Sequence, residues 1–246
     1  MPRKFSGPLQ PGRRTAKVPK RFPRRKSIPV SKVTKLIKNV QLRNCETFRN
    51  SGYVQGTDML HNVTRYYSGL LNTKQGIQNP DGGNTIDSTI PGGRTGAEIV
   101  AKGLSFKFHL ERESAAAGSH FRVVVFKYKS GQSVNDSLFW QGASGNGANN
   151  MLRILDTIDT SEVKVLKHIL VKPPIQGYFH SHLEFYVPLK NMKVRYPTGQ
   201  SDGQSPSEPE HWNIGFAVVG DYKHSTAITT KIAELNYSWK LFYKDP

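Results

Sequence analysis

The chain has 246 residues, with 35 Lys and Arg against 18 Asp and Glu and a formal net charge of +17. A single cysteine, Cys45, excludes an internal disulfide framework and a Cys-based zinc site. No early apolar stretch reads as a secretion leader and no run approaches the length of a membrane span, so a soluble, intracellular chain without membrane insertion is expected.

The charge is concentrated at one end. Positions 1–43 hold 14 of the 35 Lys and Arg and no acidic residue, so the remaining 21 face all 18 Asp and Glu, a net of +3. Six of the 15 prolines lie there too (Pro2, Pro8, Pro11, Pro19, Pro23, Pro29), with almost no large apolar residue before Ile28. Such a segment buries too little surface to offset the entropy of ordering it, so a disordered basic N-terminal arm over 1–43 is expected, followed by a folded domain over 44–246. Clustered cations neutralise phosphates and release counterions, which gives salt-sensitive, largely sequence-independent nucleic-acid binding. The expected nucleic-acid-binding residues are Arg3, Lys4, Arg13, Arg14, Lys17, Lys20, Arg21, Arg24, Arg25, Lys26, Lys32, Lys35 and Lys38. With only Phe5 and Phe22 to stack on bases, sequence-specific reading is not expected. Arg13-Arg14 with Lys20, Arg21, Arg24, Arg25 and Lys26 also has the composition of a nuclear-import signal, read by import receptors. The competing readings are a solubilising tail or one drawn to anionic membrane.

In chain order, Val33, Leu36, Ile37 and Val40 follow helical spacing, either a stub that docks on the domain or a basic amphipathic helix. A first strand is expected between Met59 and Leu70, and residues 72–96 read as a Gly, Asn and Pro loop ending in Pro91-Gly92-Gly93-Arg94-Thr95-Gly96. That loop lacks the Gly-Lys-Ser/Thr ending of a phosphate cradle. Leu104, Phe106, Phe108 and Leu110 then alternate with polar residues, the period of a half-buried strand. Phe121 to Tyr128 is β-branched and aromatic apart from Arg122 and Lys127, a strand buried on nearly both sides. Further strands are expected at Val163–Val171, at Leu183–Leu189, at Trp212, Ile214, Phe216 and Val218, and from Leu235 to Tyr243. Pro188 marks an edge strand or a strand end. Long polar loops near 130–150 and 191–210 join these runs. About eight strands with long connections predict an all-β, eight-stranded antiparallel jelly-roll sandwich.

Sites of chemistry are few. Gly199-Gln200-Ser201-Asp202-Gly203 matches a nucleophile pattern, but Pro197, Pro206 and Pro209 flank it where a strand and a helix are required, so no enzyme is expected. His180 and His182 share a strand face, yet no third ligand is near in sequence and Pro173-Pro174, Tyr178 and Ser181 read as a loop entry; no metal and no cofactor are expected. Asn62, Asn135 and Asn236 open glycosylation-type triplets that carry no weight without a secretory route. Tyr66, Tyr67, Trp140, Trp212 and Trp239 read as core or interface aromatics, with base stacking as the alternative.

The succession Gly93-Arg94-Thr95-Gly96, LSFKFHLE, HFRVVVFKYKSG, NNMLRILDT, EVKVLKHILVKP and LNYSWKLFYKD resembles capsid proteins of small circular single-stranded DNA viruses over essentially the whole chain. Arg122, which opens the central strand, and Arg153-Ile154-Leu155-Asp156 are its most telling pieces, and the order and spacing of the blocks carry more weight than any one of them. The resemblance implies an icosahedral shell of about 60 copies of the chain, its arms packaging single-stranded DNA, located in the virion and, during assembly, in the host nucleus. Two other classes stay open: a non-assembling basic nucleic-acid-binding protein of the ribosome-associated type, separable by sedimentation, and a carbohydrate-binding jelly roll, which has no need of the arm.

Overall fold

A computed structural model of the chain describes residues 48–73, 94, 96–141, 153–173, 179–197, 207–222 and 229–245. The arm, the helical spacing at Val33–Val40, Cys45, most of the 72–96 loop and the Gly199–Gly203 pattern lie outside the described residues.

Eight strands are found: β1 (Phe48–Leu60), β2 (Thr64–Tyr67), β3 (Glu98–Arg112), β4 (His120–Lys129), β5 (Lys164–Val171), β6 (His180–Arg195), β7 (Trp212–Asp221) and β8 (Lys231–Lys244). They form two four-stranded antiparallel sheets, in the orders β1-β8-β3-β6 and β2-β7-β4-β5. The pairs β1 with β8, β2 with β7, β3 with β6 and β4 with β5 nest one inside another, and β8–β3 and β7–β4 then close the ribbon into two layers. That nesting is the jelly roll, and the expected fold class holds.

The inner faces of both sheets share one core. Phe106, Phe108 and Leu110 of β3 meet Val123 and Val125 of β4, Phe216 and Val218 of β7, and Leu235 and Tyr237 of β8. At its centre Phe108 stacks on Phe185 at 5.8 Å and meets Phe216 edge-on at 5.2 Å. Such aromatic pairs add to the area they bury. The expected burial of β4 on both sides also holds, because a second cluster covers its outward residues: Val124, Phe126 and Tyr128 lie beneath Phe139, Trp140, Ile158 and Val163. The stretch expected as a polar loop near 130–150 therefore contains a short helix, α1 (Asp136–Phe139), capped by the Asn135 side chain, and delivers two aromatics to this cover.

Three strand boundaries differ from expectation for one shared reason. In β1 the register shifts between Val54 and Thr57, where Gly56 has φ +67°; in β3 it shifts between Ala101 and Gly103. In β6 the residues opposite that shift, Lys190 and Asn191, have φ of 53° and 58°. A bulge inserts residues into one strand and reverses which parity faces the core. Buried Ile99 and Ala101 thus precede buried Leu104 and Phe106, and Val187 and Leu189 precede Val194. The period-two pattern breaks at each bulge, so β1 begins well before Met59, β3 begins at Glu98, and residues 191–195 continue β6 instead of opening a loop. His180, Ser181 and His182 likewise belong to β6 and not to a loop entry. Pro188 does lie on an edge strand, since β6 pairs only with β3.

Candidate nucleic-acid interface

The register of the first sheet sorts its outward side chains by charge along the strands. At the end where β1 begins, Arg49 lies opposite Phe242, with its guanidinium 5.8 Å from the ring centre. Lys240 stands between Ser51 and Ser105, and Lys193 and Arg195 both bond Glu98, at 2.6 and 3.2 Å. These two cations hold the Glu98 carboxyl below the usual range. Tyr186 covers Gly103 so closely that a Cβ there would lie 2.1 Å from its hydroxyl, and its ring is about half exposed, at 49%. Cations beside exposed rings are the composition that holds single-stranded nucleic acid. Toward the other end the face turns acidic, with Asp58, Glu111, Glu113, Glu184 and Glu234 against Lys107 and Lys231.

The two sheets part at the basic end and leave a cleft of about 270 Å³ lined by Lys127, Met192, Lys193, Val194, Arg195, Pro209, His211 and Trp212. Trp212 and Lys127 keep the inward phase of β7 and β4 but lie past the end of the core. Trp212 is therefore 45% exposed and carries the Lys127 ammonium 4.5 Å from its ring centre. Burial, and then Lys164, hold the Lys127 ammonium below its ordinary pKa. Trp212 is therefore not a core residue, whereas Trp140 is buried and Trp239 packs against the core. Tyr66 and Tyr67 are structural: Tyr66 donates to Asp136 at 2.7 Å and Tyr67 stacks on Phe216 at 4.6 Å.

None of the thirteen predicted nucleic-acid-binding residues of the arm, Arg3 to Lys38, lies among the described residues, nor does the predicted import signal. The sequence placed its cationic contacts on that arm and offered base stacking by the domain aromatics only as an alternative. The Lys127–Trp212 pair at the sandwich mouth was not legible, because a cation and a tryptophan in core phase carry no mark of where the core ends.

The resemblance-bearing arginines are scaffold. Arg122 projects from the covered side of β4, its guanidinium 5.3 Å from the Trp140 ring centre, and donates to the carbonyls of Ile154 at 3.1 Å and Asp156 at 2.7 Å. It also donates to His168 Nε2 at 3.0 Å. Burial pushes the guanidinium below its ordinary pKa, with Asp156 opposing, and burial followed by Arg122 does the same to His168. Arg153 pairs with Asp136, and its backbone N–H donates to Asn62 at 2.6 Å. These bonds clamp the 3₁₀ turn Arg153–Leu155 and hold Leu155 out, 75% exposed. Arg94 is fully buried against Tyr196, 4.1 Å from its ring centre, and bonds the Gly96 carbonyl, while the Tyr196 hydroxyl, its pKa pushed up to about 12 by burial, donates to Leu71 at 2.8 Å.

His180 and His182 do share the outer face of β6, as their spacing predicts, but His182 is not part of the group that gathers there: His109 and Glu111 of β3 and His180 bring their donor atoms within 4.8 Å of one another. No helix among the described residues is long and apolar enough to cross a membrane.

No family model matches the chain, and no curated protein matches it. Among solved structures it is similar to turnip yellow mosaic virus at 12% identity and a TM-score of 0.33, over 82% of each chain. It is similar to Desmodium yellow mottle tymovirus at 10% identity and 0.31, over 82% of this chain and 89% of that one. The empty capsid of Triatoma virus aligns at 14% identity and 0.27, over 82% and 86%. At such identities and scores, the jelly-roll assignment rests on the strand order and register, and not on these likenesses.

Proposed function

We propose that this chain is a viral capsid protein that assembles through its jelly roll into a closed shell of about 60 copies and packages nucleic acid with its arm. The observation that carries the proposal is the division of labour within one chain: 14 cations without one acid in positions 1–43, joined to an eight-stranded jelly roll whose sequence is close to charge balance. About 60 arms would bring some 840 positive charges into one particle, a scale suited to neutralising a genome. The basic, ring-bearing end of the first sheet and the adjoining cleft would extend that contact from Arg49 onward. The exposed apolar side chains Tyr53, Leu155, Leu170 and Phe179 supply contact area for copies of the chain, and Leu155 is held rigidly for that purpose by the Arg122 clamp. Single-stranded DNA as cargo follows the sequence resemblance, since a polycation accepts DNA or RNA alike. Arg13, Arg14, Lys20, Arg21, Arg24, Arg25 and Lys26 would carry the chain to the host nucleus through import receptors.

Negative-stain imaging of the purified protein, followed by typing of its nuclease-resistant contents, tests the reading directly. Closed spheres near 20 nm holding single-stranded DNA are expected for about 60 copies of a domain this size. Dispersed molecules of single-chain mass that still shift nucleic acid would replace it with a non-assembling binder. Deleting residues 1–43 is expected to abolish most nucleic-acid binding at physiological salt while leaving the β domain's melting transition in place; unchanged affinity would defeat the assignment to the arm.

A further inference from the structure

The far end of the first sheet carries a cluster that packaging does not use. In the β3–β6 pairing Glu111 lies directly opposite His180 and His109 directly opposite His182. Residues opposed in an antiparallel pair project to the same face, so three imidazoles and a carboxylate form a two-by-two block on the outer surface. The His109 and His180 rings lie diagonally across it, their centres 5.4 Å apart and their planes at 19°. Within the block, His109, Glu111 and His180 hold their donor atoms within 4.8 Å of one another. The neighbouring charges are already engaged: Lys107 pairs with Glu184 at 3.1 Å, and Lys231 faces Asp58, Glu113 and Glu234. No cation pairs with Glu111 among the described residues.

We propose that His109, Glu111 and His180 form a site for a borderline divalent transition-metal ion of the Zn²⁺ class, with water completing the coordination. Two imidazole nitrogens and one carboxylate oxygen suit Zn²⁺ and its neighbours, whereas Mg²⁺ and Ca²⁺ select oxygen ligands. Around one zinc, with bonds of about 2.0–2.1 Å, donor atoms stand about 3.3–3.5 Å apart. Rotation of these outward-facing side chains, of which Glu111 and His180 are exposed and His109 is half-buried, closes the difference without moving the strands, whose register is held by the ladder. The ion would tie β6, an edge strand with a ladder on one side only, to β3 across the sheet. The site is independent of the capsid reading and stands or falls separately from it.

The test titrates Zn²⁺ into the purified full-length protein against a chromophoric chelator, with Mg²⁺ as the comparison ion, and follows the melting temperature in parallel. One zinc per chain with micromolar affinity is expected, together with a raised melting temperature. His109→Ala, His180→Ala and Glu111→Gln are each expected to weaken binding by at least about tenfold and to abolish the thermal shift, with their zinc-free melting unchanged because the side chains lie on the surface. Lys107→Ala, on the same face outside the block, is expected to bind as the parent does. Absence of zinc binding by the parent, equal binding by a His109→Ala/His180→Ala double variant, or loss on His182→Ala with retention in His109→Ala would each overturn the proposal.

Discussion

The two sheets share an inner core but treat their outer faces in opposite ways. The central strands of the second sheet, β4 and β7, are buried on both sides, with Phe139, Trp140, Ile158 and Val163 laid over them. The first sheet leaves its outer face polar, grading from cations and exposed rings at the end where β1 begins to histidines and carboxylates at the other. Covering one face makes that sheet a three-layer structure in which side chains and backbone are boxed in. The bare face tolerates change and is free to bind. A jelly roll therefore acquires a rigid side and a working side from the same eight strands, and substitutions discriminate between them.

The largest loss is expected in the core that both sheets share. Phe108→Ala removes a 1%-exposed ring packed among Phe185, Phe216 and Tyr237, and about 3–5 kcal/mol of stability should disappear in a urea titration. A loss below about 1 kcal/mol would mean that the sheets do not pack face to face. On the covered side, Arg122→Met strips the clamp from the Ile154 and Asp156 carbonyls, and about 1–3 kcal/mol is expected, with proteolysis of the 153–156 turn as an independent readout. A glycine pair then separates the two faces. A Cβ at Gly215 in the second sheet would lie 2.6 Å from the Tyr67 backbone carbonyl and 3.2 Å from Phe126, so Gly215→Ala should cost about 1–3 kcal/mol of overpacking. At Gly103 on the bare face the obstacle is the outer half of the Tyr186 ring with its hydroxyl, all on one half-exposed side chain that can swing aside, and Gly103→Ala should cost less than about 1 kcal/mol. Equal losses at the two glycines would erase the distinction between the faces.

The smallest effect is a pH slope on the covered sheet. His168 accepts from Arg122 and is held below the ordinary histidine pKa by burial and then by that guanidinium. The unfolded chain takes up this proton first, so the group's contribution is fully present above the unfolded value near pH 6.5 and is lost as pH falls through the lower folded value. Melting temperatures at pH 7.5 and pH 5 should therefore lie closer together in His168→Gln than in the parent. An identical gap would assign the acid sensitivity elsewhere.

What the amino-acid sequence determined by itself is whatever rests on composition and short-range period. The cations of positions 1–43, the alternation from Leu104 to Leu110, the doubly buried run at Phe121–Tyr128 and the edge position of Pro188 were all legible, because each depends on neighbours a few residues away. The tertiary structure decided what depends on partners far along the chain. The bulges at Gly56, at Ala101/Gly103 and at Lys190-Asn191 reverse the facing parity in mid-strand, and only pairing with another strand shows that the strand continues. Trp212 is in core phase yet stands at the mouth of the cleft, since the end of a core is set by both sheets together. Arg122 and Arg153, legible only as a resemblance, become a clamp once the 153–156 turn folds back over β4. The neighbours that gather around His180 are not His182 but His109 and Glu111, about 70 residues upstream and brought there by strand register alone. Local period says which residues want to be buried or exposed, whereas register and closure of the sandwich decide where each of them ends.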